Sequence, residues 1–395
     1  MSSRPIPWPF PWPWRGQENQ RVVLAGLLWV ALLVAWGFAM RDLVPGAQPS
    51  PWPADVAGKA PLYARFDTGW YFDIARDGYG PPPPQGSEAE HAFFPLYPYL
   101  ARAVHLATGL GVFRSLLLVA WAAFLLALPL FMEEARRRGL PEDPWRALPF
   151  LLLYPSAFFL QAAYSDAVYF LAALLAFRAL RTGSVAGAVA LGFVAGLCRA
   201  PAAALGPALA VAWWLEENGP AVRWKLRTLA PAALLGVAPL AGVLSYVFGI
   251  GLLKGEPGLF FRVMAAWPER VTSASGGPAA FVGRLAERVA SGEVLQHPGL
   301  LVPYALVVLL LGLSVVQLRA GRPSDAAWMT ALVAMPVLTG TDAGIPRYTM
   351  TVFPVALSLA ALLEGRPRLR LAWLAGSTLL LLYYSAKFVR WGFVS

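Results

Sequence analysis

Long apolar runs alternate with short polar links along this chain, and the alternation sets its fold class. Apolar runs of about 18 residues or more have the length of a helix that crosses a bilayer. Runs of this kind centre on 22–42, 112–132, 145–160, 166–181, 184–198, 201–216, 228–252, 299–318, 326–341, 348–363 and 369–386, which predicts an all-α, polytopic membrane protein of about 11 transmembrane helices. A membrane barrel is excluded, because its strands read as segments of about ten alternating residues and not as continuous apolar runs.

Two longer segments, 43–111 and 253–298, are semi-polar and do not span. Residues 61–79 and 93–107 carry apolar positions at helical spacing, with Pro81–Pro84 as a stiff break between them, and 259–266 and 279–290 are amphipathic. Such segments predict helices lying in the membrane interface. Lys and Arg gather in the links 133–146, 178–183, 216–227, 319–325 and 364–370, whereas 160–166, 198–202 and 341–347 are poor in them. Basic links face the cytoplasm. The expected protein is therefore a multi-pass cytoplasmic (inner) membrane protein with a cytoplasmic N-terminus, and both long segments face outward.

Residues 1–20 form an expected cytoplasmic tail in which Pro alternates with Trp and Phe, a pattern that favours polyproline II. The stretch Arg21–Met40 has no small-residue cleavage site and reads as an uncleaved anchor. Residues 21–395 are expected to form a single transmembrane domain.

Composition narrows this picture. Of 395 residues, 58% are hydrophobic and 14% charged, and the formal net charge is +10. Because the cations sit mainly in links between spans, the charge reflects topology and not a nucleic-acid surface. Lys254, Arg262, Arg270, Arg284 and Arg288 make the second outer segment basic, which suits lipid headgroups. The lone Cys198 rules out a disulfide framework or a cysteine metal site.

The candidate chemistry lies in the first outer segment. On a helix at 100° per residue, Asp67 shares a face with Trp70, Tyr71, Ile74 and Gly78, while Asp73 and Arg76 point elsewhere. A carboxylate among aromatic rings is poised as a base, since desolvation disfavours its charged form. Alternatively Asp67 caps the helix. The residues alone leave both readings open.

Phe66-Asp67, Trp70-Tyr71, Ile74-Ala75, Gly78-Tyr79 and Glu90-His91-Ala-Phe-Phe-Pro-Leu-Tyr-Pro98 closely resemble the PIG-V-like mannosyltransferases. This family belongs to the GT-C class of multispanning glycosyltransferases that use lipid-linked sugars. Further matches follow in order: Tyr154-Pro-Ser through Tyr164-Ser-Asp166, Arg199-Ala-Pro201, Arg347-Tyr348 and Trp391-Gly-Phe-Val394. The resemblance covers nearly the whole chain. It departs at Phe66, where the family usually has Trp, and at Asp166, where it usually has Glu.

The resemblance implies a GT-C-type fold, catalysis in the outer loop 43–111, and Asp67 as the base that activates the acceptor. It implies transfer of mannose from polyprenyl phosphate to a hydroxyl of a glycolipid, glycan or protein, with inversion by single displacement. Around Asp67, the expected substrate-binding residues are Glu90, His91, Gln161, Tyr164, Asp166, Arg199, Arg347 and Tyr348. Each has a plainer alternative. Glu90 and His91 read equally as solvated loop residues, Asp166 as a helix cap, and the two arginines as headgroup contacts rather than phosphate clamps. The acids show no metal-ligand spacing, and arginine alone can neutralise a monophosphate leaving group, so no metal or cofactor is expected. A lipid or sugar transporter is the competing class; it would place ionisable residues near span midpoints, whereas here they gather at outer span ends. Catalysis predicts that Asp67, Glu90, Asp166, Arg199 and Arg347 converge on one outward-opening cavity.

Overall fold

A computed structural model describes residues 16–138, 144–218, 224–267 and 276–394. Residues 1–15, most of the expected tail, and Arg270 lie outside the described residues. Every regular element among those described is a helix. Four of these helices, Gln17–Leu43, Val112–Arg137, Leu226–Leu253 and Gly299–Arg319, are long and apolar enough to cross a membrane. Their outward faces carry exposed Leu, Val and Phe such as Leu28, Leu32, Val237, Phe248 and Val308. Apolar side chains turned outward along a long helix are what lipid contact requires. The chain is a polytopic helical membrane protein.

Other apolar runs fold differently from straight spans. The run 145–160 is divided into Pro144–Arg146, Leu148–Leu152 and Ala157–Leu160. Pro155 explains the break: it has no N–H to give and pushes the residue before it away from helical angles. The run 348–363 is split into Ile345–Met350 and Phe353–Leu362, with Pro354 opening the second piece. The expected run 201–216 becomes Ala200–Ala204, Leu205–Val211 and a π-helical turn, Ala212–Glu216.

The interior is built from aromatic contacts and close backbone approaches. Trp328, Phe177 and Phe353 are fully buried and meet ring to ring, with centroids 5.2–5.6 Å apart. Helices Val185–Gly196 and Leu226–Leu253 approach so closely at Gly196 and Gly242 that a Cβ on either would strike the other's backbone. Small residues at helix crossings allow this contact in membranes.

A buried ion network ties the end of the fold remote from segment 43–111. Arg138 gives Nε and Nη2 to Asp325 at 3.0 and 2.5 Å and also pairs with Glu134, which takes Arg181 at 3.0 Å. Two-pronged contacts of this kind fix geometry as well as charge. They join the C-terminal ends of Val112–Arg137 and Asp166–Arg181 to the start of Pro323–Thr339.

The longer helices of segment 43–111 are Thr68–Asp77 and Leu96–Thr108, beside the short Ala54–Ala57 and Glu90–Ala92, and segment 253–298 contributes Leu259–Ala265 and Pro278–Ala290. The stretch 61–67 precedes the first of these helices and is not itself helical. A loop at 79–91 is fastened to the second segment. Lys254 Nζ donates to the Tyr79 carbonyl at 2.6 Å, and Arg262 donates to the Pro83 carbonyl at 3.0 Å.

Candidate active site

Asp67 occupies the N-cap position of Thr68–Asp77, yet its side chain makes no capping hydrogen bond. The carboxylate turns instead to Arg347, whose Nη1 donates to Oδ2 at 2.9 Å. Neighbouring strands of the main chain are pinned by the segment 163–166. The Tyr164 hydroxyl accepts from the Asp67 N–H at 3.3 Å and donates to the Arg65 carbonyl at 3.1 Å. Thr68 Oγ1 donates to the Ala163 carbonyl at 3.1 Å, and Ala163 N–H to that of Tyr63 at 3.0 Å. Burial pushes the Tyr164 phenol well above its usual range, with Asp67 adding to the effect, so it stays a neutral hydrogen-bonding group.

Arg347 sits on the short helix Ile345–Met350, which begins at Gly344. There φ is +78°, and an added Cβ would collide with the Tyr348 ring; only glycine suits such a position. Buried Tyr154 and Ser156 of the Tyr154-Pro-Ser sequence hold this helix through two hydrogen bonds. Ser156 Oγ donates to the Pro346 carbonyl at 2.5 Å, and the hydroxyls of Tyr154 and Thr349 lie 2.9 Å apart. Arg347 also gives Nε to Asp166 Oδ2 at 2.8 Å, while Arg199 pairs with Asp166 Oδ1. The result is a chain of alternating charge, Asp67–Arg347–Asp166–Arg199.

Exposure divides the labour along that chain. Asp166 is fully buried and the Arg199 side chain nearly so, whereas Asp67 keeps 27% and Arg347 14% of its side-chain surface. The inner pair can orient but not reach a ligand readily. Asp67 and Arg347 line a cavity of about 810 Å³ together with Tyr164 and Tyr348. Tyr348 faces the Arg199 guanidinium at 4.8 Å and Tyr164 that of Arg347 at 4.4 Å, contacts that hold the cations by their flat faces.

Glu90 and His91 are elsewhere. They fold back on Gly80: Glu90 Oε1 accepts the Gly80 N–H at 2.8 Å, and His91 Nε2 lies 3.2 Å from the Gly80 carbonyl oxygen. The Tyr246 hydroxyl donates to the His91 carbonyl at 2.9 Å. Neither residue lines the cavity. Trp121 Nε1 donates to the Gln161 carbonyl at 2.9 Å, but the Gln161 side-chain amide is buried and has no partner among the described residues. Asp342 pairs with Arg288 and accepts from Tyr304 at 3.2 Å.

The cavity also has walls that the sequence did not single out. Glu88 reaches it, and Phe261, Met264, Trp267 and Met335 supply apolar surface beside Phe93 of the 90–98 motif. Trp70, outside the lining itself, stacks on Phe93 at 5.9 Å and meets Trp267 edge-on at 5.9 Å. No metal-binding cluster of His, Cys, Asp and Glu occurs among the described residues.

Two non-glycine residues among those described have left-handed backbones: Phe66 at φ +48° and Trp391 at φ +63°. For L-residues that conformation costs about 1–2 kcal/mol, and it persists where packing over-determines it. The two rings touch, with centroids 5.6 Å apart. Arg65, buried among the carbonyls of Pro61, Ala64 and Val389, lies with its guanidinium 4.6 Å over the Trp391 ring. Burial lowers the Arg65 pKa to about 10.

No protein-family model and no curated protein matches the sequence. Among solved structures, the chain is similar to the crystal structure of ArnT from Cupriavidus metallidurans in the apo state, at 20% identity and a TM-score of 0.47. The match covers 90% of this chain, which spans 61% of the length of that one.

Proposed function

We propose that this chain is a membrane glycosyltransferase of the GT-C type that moves a sugar, mannose, from polyprenyl phosphate to an acceptor hydroxyl at the outer membrane face. One observation carries the reading: a carboxylate and a guanidinium in contact, Asp67 and Arg347, share the wall of a large, mainly apolar cavity. A lipid-linked sugar needs both an apolar surface for its isoprenoid and a fixed cation for its phosphate.

The chemistry follows from those groups. The acceptor oxygen attacks the anomeric carbon and its proton passes to Asp67. The C–O bond to the phosphate breaks, the oxygen keeps the electron pair, and polyprenyl phosphate departs. A single displacement inverts the anomeric centre and needs one base. Such a base contributes roughly 10²–10⁴-fold. Guanidinium binds phosphate oxygens in a fixed fork, so a donor phosphate on Arg347 takes the place of Asp67 and leaves the carboxylate for the acceptor. Asp166 and Arg199 keep Arg347 in register behind it.

The test uses purified protein in nanodiscs, polyprenyl-phosphate mannose and a native lipid extract. Sugar transfer by wild type that disappears in Asp67→Asn is the expected result. Transfer that persists unchanged in the variant would remove Asp67 as the base, and no transfer from that donor would overturn the mannose assignment.

A further inference from the structure

The two left-handed non-glycine residues meet each other, and one of them immediately precedes Asp67. The backbone around Trp391 shows why this is unusual. Helix Pro367–Val389 ends with Gly392 N–H bonded to the Lys387 carbonyl at 2.7 Å and Trp391 N–H bonded to that of Phe388 at 3.1 Å. That pair of bonds is the Schellman cap, whose left-handed position is normally glycine. Here tryptophan occupies it. A side chain at that site must be held by what it touches.

Its contacts all converge on the residues before Asp67. The Trp391 ring meets Phe66 edge-on, carries the Arg65 guanidinium on its face, and meets Trp52 edge-on at 4.9 Å. Phe66 completes the cluster against Phe388 at 5.7 Å and Phe393 at 5.5 Å. Phe66 and Phe393 then line the same cavity as Asp67. A tryptophan serving simply as an interface anchor would spend its ring on headgroups, and this ring is spent on the turn at 65–66.

We infer that Trp391 is a positioning residue for Asp67: packed against Phe66 and Arg65, its ring fixes the left-handed turn that sets the carboxylate against Arg347 and the cavity. The kinetic consequence rests on the base role proposed above; the geometric one does not.

Glycine variants separate positioning from folding, because glycine adopts both backbone angles freely. Trp391→Gly and Phe66→Gly permit their turns but delete the rings that impose them, whereas Trp391→Phe keeps an aromatic ring. The substrate-free readout is modification of Asp67 by an apolar carbodiimide, which attacks protonated carboxyls, followed by peptide mass spectrometry in nanodiscs at neutral pH. A carboxyl released from its guanidinium partner is open to the reagent, so both glycine variants are expected to label Asp67 about ten-fold faster than wild type. Trp391→Phe should stay close to wild type, and Trp391→Gly should keep a single cooperative melt. With polyprenyl-phosphate mannose, displacement of a reacting group predicts a loss in kcat of about ten-fold or more with KM unchanged.

Wild-type labelling rates in folded Trp391→Gly would overturn the inference. Should that variant lose its cooperative melt, Phe66→Gly decides in the same way. Absence of sugar transfer from that donor by wild type would overturn the mannose assignment and leave the labelling result to judge the positioning role.

Discussion

Arg347 donates Nη1 to the Asp67 carboxylate at 2.9 Å across 280 residues of chain. The contact places the Asp67 carboxylate in a chain of alternating charge, where it makes no capping hydrogen bond, and Arg347 retains Asp166 when Asp67 is neutralised. Asp67→Asn is therefore expected to keep the fold while transfer falls by roughly 10²–10⁴-fold, because an amide cannot take up the acceptor proton. Initial rates with polyprenyl-phosphate mannose, alongside thermal melts, check both halves of this expectation.

Asp166 behaves differently because it is fully buried between two guanidiniums. Removing one partner of a buried ion pair leaves uncompensated charge and costs about 3–5 kcal/mol. Asp166→Asn should lower the melting temperature well beyond Asp67→Asn, whose partner keeps a second carboxylate. Equal melting temperatures for the two variants would contradict the division between an inner anchor and an outer reactive group.

Much of the site was legible in the motif residues, and its three-dimensional logic was not. Apolar period and the Phe-Asp…Trp-Tyr pattern located the helix after Asp67, and the Arg347-Tyr348 and Arg199-Ala-Pro pairs marked the cations. Spacing alone could not say that Arg347 spans both acids, since that contact joins segments far apart in sequence. Glu90 and His91 had the residue types of a site, yet Gly80 and the tight 79–91 loop claim them. The wall residues Phe261, Met264, Trp267 and Met335 carry the same apolar signal as packing or lipid contact. Hydropathy also overlooked the break in 145–160, although Pro155 was visible, because a window average does not register a missing N–H.

His91 gives the fold a pH dependence of definite sign. Its ring is fully buried and shares its surroundings with Glu90, Lys254 and Arg262. Burial lowers its pKa below the ordinary 6.5, outweighing the Glu90 carboxylate and the Gly80 carbonyl. In the window just below pH 6.5 the unfolded chain thus binds more protons than the folded one, and stability falls as pH drops through it. Wild type should melt at a lower temperature at pH 5.5 than at 7.5, and His91→Gln should lose part of that difference. A difference left intact in His91→Gln would assign the dependence to other groups.

Gln161 separates a structural from a substrate-binding role by a single substitution. Its side-chain oxygen and nitrogen are both buried with no hydrogen-bond partner among the described residues, and the residue does not line the cavity. An unsatisfied buried polar group costs about 1–3 kcal/mol, while methionine matches glutamine in length and needs no partner. Swaps that conserve volume disturb a core little. Gln161→Met is therefore expected to stabilise the protein by about 1 kcal/mol, seen as a higher melting temperature, with the rate of transfer unchanged. A fall in transfer despite that gain would mean the amide does reach the substrate, because the loss of an unused polar group cannot slow a reaction it does not touch.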